Sequence, residues 1–151
     1  MIVPLYDLRT FDLVGAIEAR PFGAGGTVFQ AAITGSRLGA GTHGFHVHEN
    51  PNVAPTKKSN GEIVYGGAAG SHYDPQRTKT HQGPYGEGHL GDLPYLTFDR
   101  RGSCFQAVLA PRFPYELLKG RSLIIHLGGD NYTDHPPNGG GKARVLGGVI
   151  I

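Results

Sequence analysis

The chain has 151 residues, of which 38% are apolar and 17% charged, with Gly 25 and Pro 11 spread without a repeating period. That length fits one folded domain over residues 1–151, and the composition excludes a disordered segment and favours a turn-rich all-β chain. A formal net charge of +2 without a run of five like charges excludes a nucleic-acid footprint, and no stretch reaches the ~18 apolar residues of a membrane-spanning helix, so neither nucleic acid nor membrane is expected as a partner.

The N-terminus "MIVPLYDLRT" lacks the basic segment followed by an apolar one that marks a secretion signal. The native protein either has no such signal, or the chain is a processed form with an added Met1. Downstream, two-residue alternation between Gly-rich turns predicts eight strands: "IVPLYDL", "GAIEAR", "TVFQAAIT", "HGFHVHE", "LPYLTFD", "SCFQAVLA", "SLIIHLG" and "ARVLGGVII". Phe29, Ala31 and Ile33 share one face of the third, and Phe105, Ala107 and Leu109 one face of the sixth, as in half-buried antiparallel strands. A sandwich or flattened barrel follows. Two long connections, about residues 50–91 and 128–142, are dense in Gly, Pro, Asn and Asp, and structureless loops of such length are commonly functional.

His46 and His48 stand at i and i+2 on the fourth predicted strand, so both rings leave one face roughly 6 to 7 Å apart at their bases and can converge on one ion. Phe45 and Val47 point the other way, toward the core, and His43 shares that parity, which makes it a hydrogen-bonded structural histidine. In the first long loop His72, His81, His89 and Asp92 supply three imidazoles and a carboxylate, a closed tetrahedral set suited to structural zinc. His126 lies on a late apolar strand just before the second loop. Imidazole-only ligation suits copper, which cycles by single electrons where zinc cannot. Two unlike sites would suggest redox chemistry at one and architecture at the other.

In "GFHVHENP", "HYDP", "GPYGEGHLGDLP", "LAPR", "GRSLIIHLGGDNYTDHP" and "GGGKAR", taken in this order, the chain resembles the copper/zinc superoxide dismutases, especially their bacterial branch. The resemblance spans nearly the whole chain. It implies an eight-stranded antiparallel Greek-key β-barrel with the metals held between the barrel wall and two long loops. It also implies copper on His46, His48, His72 and His126, and zinc on His72, His81, His89 and Asp92, with His72 bridging. Asp130 matches a carboxylate that joins a copper ligand to a zinc ligand, although locally it also suits the turn "GGDNY". Arg144 matches an arginine that docks the superoxide anion. The implied reaction alternates Cu(II) and Cu(I), giving dioxygen and then hydrogen peroxide, with His72 as ligand and proton donor.

The chain departs from the family at its disulfide, whose two positions read Val53 and Gly147, and Cys104, the sole cysteine, has no partner. A bridge of that kind is typically worth about 2 to 4 kcal/mol, so metals, packing or a subunit contact must anchor the first loop instead. Cys104 reads as a small strand residue facing away from Phe105, His135 as a solvated loop residue, Lys57 and Lys58 as a charged loop surface, and Tyr73 and Tyr85 as packing residues of the metal region. Superoxide dismutation leads, a non-enzymatic copper or zinc binder on the same barrel is the alternative, and a pure adhesion or assembly domain would require none of these ligand-type residues. A homodimer is possible. Kinship with the bacterial branch suggests a periplasmic or secreted protein, with cytoplasmic residence as the alternative.

Overall fold

A computed structural model describes residues 1–151. Its strands are β1 (Ile2–Asp7), β2 (Leu13–Phe22), β3 (Gly26–Ile33), β4 (Gly41–His43), β5 (Phe45–His48), β6 (Thr56–Lys57), β7 (Ile63–Val64), β8 (Leu96–Phe98), β9 (Cys104–Ala110), β10 (Arg121–His126) and β11 (Arg144–Ile150). Seven of them form one curled antiparallel sheet in the order β5-β10-β11-β1-β2-β3-β9. Its two ends are brought together by the β4–β8 ladder, because β4 leads directly into β5 while β8 lies against β9. The Thr97 amide of β8 donates to Gln106 Oε1 of β9 at 2.9 Å. The barrel thereby covers both edges that an open sheet would leave unpaired.

The alternation of β3 is as expected, with Phe29, Ala31 and Ile33 buried in the core and Phe29 edge-on to Phe45 at 5.5 Å. The corresponding expectation for β9 needs correcting. Phe105, Ala107 and Leu109 do share a face, but it is the outer one, since Phe105 is 70% exposed while Cys104 and Ala110 are buried. The apolar pattern of this strand therefore marks an uncovered surface. Tyr85 is corrected likewise: it is exposed and meets Tyr132 edge-on, whereas Tyr73 packs in the core as expected.

The segment "HGFHVHE" is two strands and not one. Gly44 interrupts it, so that β4 pairs with β8 and β5 with β10. A Cβ on Gly44 would stand 3.1 Å from His46 Cε1, so the switch occurs where the chain needs the smallest residue. Strand β10 is buried on both sides: Leu123 and Ile125 enter the barrel core, while Ser122, Ile124 and His126 turn outward beneath the long loops.

The first long connection is also less bare than the sequence suggests. It contains the β6–β7 ladder and a 3₁₀ turn at Gly67–Ala69. Where the family's disulfide would lie, Val53 packs into a small apolar cluster with Leu8, Ala69 and Ile124, flanked by Tyr65 and Val149. Gly147 pairs with Ile124 in the ladder, and a Cβ there would come within 2.9 Å of Ile124 Cδ1 and 3.1 Å of Leu8 Cδ2. The space a second cysteine would need is filled by aliphatic side chains, and packing replaces the covalent anchor.

Candidate metal centre

Strand β5 and the loop that returns beside it place most of the site through the backbone. The Val47 amide donates to Gly91 O at 2.8 Å, and the Tyr73 amide to Val47 O at 2.8 Å. Isolated bridges then set His46 beside Asp92 and His48 beside His72. Residues distant in sequence become cross-strand neighbours of the His46/His48 pair, and His126 enters from the end of β10 on the same outer side.

Two groups of donor atoms result, each within 4.8 Å of one another: His46, His48, His72 and His126 in one, and His46, His72, His81 and Asp92 in the other. His46 falls in both by distance, but its Nε2 is taken by Asp130 Oδ2 at 2.8 Å, which leaves only Nδ1 to face an ion. His89 completes the second group, its Nδ1 3.2 Å from Asp92 Oδ2. The structure thus brings together all seven ligand candidates of the sequence.

The hydrogen bonds at the far side of each ring decide which nitrogen is free. His48 Nδ1 donates to Gly70 O at 2.9 Å and His126 Nδ1 to Lys142 O at 3.2 Å, so both rings present Nε2, the two nitrogens lying 3.4 Å apart. His72 Nδ1 faces Asp92 Oδ1 at 2.8 Å and Nε2 is left for the other group. Asp130 spans the two clusters, accepting from His46 at 2.8 Å and from His81 Nε2 at 2.7 Å. These two carbonyls, from Gly70 and Lys142, were missed by the sequence reading, because a backbone oxygen leaves no side-chain signal.

At the centre of the second group, His81 Nδ1 stands 2.8 Å from Asp92 Oδ2 without hydrogen-bond geometry. His46 Nδ1, His81 Nδ1, His89 Nδ1 and Asp92 Oδ2 are all buried and unpartnered. Orphaned buried polar atoms are costly unless something satisfies them. One cation between His81, His89 and Asp92 and a second beside His46 satisfy these atoms, and the donor sets of imidazole and carboxylate fit divalent transition ions.

The protonation states agree with that use. Burial and the neighbouring rings drive His46 and His48 well below the ordinary imidazole value, burial lowers His72, and His126 falls to about 3 for the same reason. All four are neutral donors. Burial also opposes charge on His81, but its hydrogen bond to Asp130 and the nearby Asp92 carboxylate outweigh this and raise it to about 9, a proton that a metal would displace. Asp92 is buried, yet His72, His81 and His89 hold it far below the ordinary carboxylate range.

A cavity of about 380 Å³ opens onto His72 and His126 and is walled by Ser71, His89, Asn138, Lys142 and Arg144. Both terminal nitrogens of Arg144 are clamped, Nη1 on Gly66 O at 2.7 Å and Nη2 on Gly70 O at 2.6 Å. The remaining predicted residues lie outside the site. His43 is buried and bonded to the carbonyls of Gly39, His126 and Leu127, and His135 is exposed. Cys104 is buried, its thiol pushed up to about 11, chiefly by desolvation.

A family model described as copper/zinc superoxide dismutase matches residues 14–150. A superoxide dismutase [Cu-Zn] of Brucella abortus biovar 1 (strain 9-941) is 48% identical over 146 residues, covering 88% of this chain and 84% of its own. Among solved structures, the Cu/Zn superoxide dismutase from Brucella abortus superposes with a TM-score of 0.92 at 44% identity, covering 100% of this chain and 99% of its own. The monomeric copper, zinc enzyme from Salmonella enterica gives 0.84 at 38% identity, with 100% and 99% covered.

Proposed function

The chain belongs to the copper/zinc superoxide dismutase family, and on that premise we propose that His46, His48, His72 and His126 hold copper while His72, His81, His89 and Asp92 hold zinc. The protein is an oxidoreductase that turns two superoxide anions and two protons into dioxygen and hydrogen peroxide, with copper and zinc as its cofactors. The observation that supports this ligand assignment is the set of buried, unpartnered donor atoms on His46, His81, His89 and Asp92. Copper supplies the one-electron exchange with superoxide, and zinc supplies fixed geometry.

The chain's own residues supply the rest. Arg144, clamped by two carbonyls, keeps its other N–H groups for an anion entering the cavity beside His72 and His126. His72 borders that cavity with Nδ1 at Asp92, and its Nε2, which would hold copper, would deliver a proton to the reduced product when it carries one taken from solvent in place of the ion. Asp130 fixes the rings of His46 and His81 with a single carboxylate, tying the geometry of one cluster to the other.

The reading is tested by measuring metal content and superoxide consumption on the same preparation. Full copper with no consumption would leave the alternative, a non-enzymatic copper/zinc binder on the same barrel.

We further propose that the chain forms a homodimer through the outer face of β9. On that face Phe105 is 70% exposed and Leu109 37%, and Leu109 borders a groove shared with Tyr85, Tyr95 and Tyr132, exposed apolar surface of the kind that marks an interface. Sedimentation of the native protein and of Phe105→Asp decides it: the reading expects a dimer that the substitution dissociates. For the compartment, likeness to bacterial relatives supports periplasmic or secreted residence over the cytoplasm, which cell fractionation would test.

A further inference from the structure

Only two side chains on the wall of the metal cavity carry a fixed positive charge, Arg144 and Lys142, and no carboxylate lines it. The backbone of Lys142 is fixed by its neighbours. The Gly128 amide donates to Gly141 O at 2.7 Å, the Leu127 amide to Ala143 O at 2.8 Å, and His126 Nδ1 to Lys142 O at 3.2 Å. To aim its carbonyl at the His126 ring, Lys142 adopts a left-handed backbone with φ of 61°. Glycine takes that conformation without cost and the three preceding residues are glycine, yet this position carries a lysine. A side chain retained where backbone sterics disfavour it calls for a functional account.

The other lysines of the long loops do not offer the same charge to the cavity. Lys58 pairs with Glu62 at 3.5 Å, and none of Lys57, Lys58 and Lys79 lines the cavity. Lys142 is exposed, takes part in no ion pair, and its own carbonyl orients His126. We propose that Lys142 is a second anion-guiding residue of this site, drawing superoxide into the cavity so that Arg144 can dock it. The inference rests on the dismutase reading above. Superoxide dismutases are themselves the standard illustration of electrostatic steering, and what is new is the assignment of this role to Lys142.

The test uses the copper- and zinc-loaded protein with Lys142→Gly, which removes the charge and suits the left-handed backbone, and Lys142→Arg, which keeps the charge. A unit charge about 8 to 10 Å from the anion's path through water changes encounter by roughly twofold to threefold. The second-order rate of superoxide consumption in Lys142→Gly should fall by about that factor at ~10 mM ionic strength and converge on the unsubstituted protein at ~0.5 M. Lys142→Arg should restore both rate and salt slope, and metal content should be equal in all three. Azide binding, followed by the visible spectrum of the copper, should weaken by a similar factor in Lys142→Gly only, and this arm does not require turnover. Unchanged rate, salt slope and azide affinity in Lys142→Gly would overturn the proposal, as would a loss that Lys142→Arg fails to restore. Azide binding that weakens as expected in a protein consuming no superoxide would uphold Lys142 as an anion guide and sink the dismutase reading instead.

Discussion

Val53 is the residue on which the first long loop depends, and Val53→Ala measures how much. The side chain is buried with Leu8, Ala69 and Ile124, and the substitution removes two methyl groups from that cluster. At about 0.8 kcal/mol per buried carbon, the transfer contribution is roughly 1.6 kcal/mol. Incomplete collapse around the vacated space adds to it, giving about 2 kcal/mol in all. For a chain of this size that is a fall in Tm of about 4 to 8 °C. Melting should be followed at full metal loading and again after metal depletion, because bound metal raises stability by mass action and must be held fixed. A reducing agent should leave the unsubstituted protein's Tm unchanged, since its sole cysteine has no disulfide to lose. A shift below about 1 °C in both metal states would refute packing as the anchor. The loop carries Gly66 and Gly70, which clamp Arg144, so dismutation should decline along with stability.

Asp130→Ala removes the carboxylate shared by His46 and His81, and should weaken retention of both metals by about ten- to a hundredfold in a chelator competition; loss of neither metal would dismiss Asp130 as their common support. Arg144→Glu should lower the rate of superoxide consumption about tenfold or more, and reduce its salt sensitivity, while metal content stays intact; unchanged kinetics would remove Arg144 from the mechanism. The buried ligands also set a pH dependence. His46, His48, His72 and His126 are held neutral in the fold but protonate near 6.5 when unfolded, so their contribution is present above about 6.5 and is lost as the pH falls toward the folded values, about 3 for His126. His81, raised to about 9 in the metal-free fold, acts oppositely and its contribution fades as the pH rises toward 9. With four groups against one, metal-depleted protein should melt at a lower temperature at pH 4.5 than at pH 7, by calorimetry. An equal or higher Tm at the acid pH would contradict these shifts.

Much of the site was legible because metal chemistry restricts side-chain types. His46-Val47-His48 on a strand fixes which rings share a face, and the Gly-rich loop with His72, His81, His89 and Asp92 offers one closed set. The β3 face could be read from alternation alone. The β9 face could not, since Phe105, Ala107 and Leu109 alternate just as buried residues do and a period of two does not say which side meets the core. The break at Gly44 was hidden for a related reason: both halves of "HGFHVHE" are extended, and only their separate partners, β8 and β10, show that the chain changes neighbours there.

By itself, then, the sequence determined the class of fold, the donor atoms and the absence of a covalent bridge, because each depends on residue type and local period. The tertiary structure decided what residue type cannot express. Long-range pairing made His72 and Asp92 neighbours of β5, and the carbonyls of Gly70 and Lys142 selected the free nitrogen of His48 and His126. Val53 found Leu8 and Ile124, and Lys142 came to share a cavity wall with Ser71 and His72. These relations join residues tens of positions apart, and they exist only once the barrel has closed and the loops have packed against it.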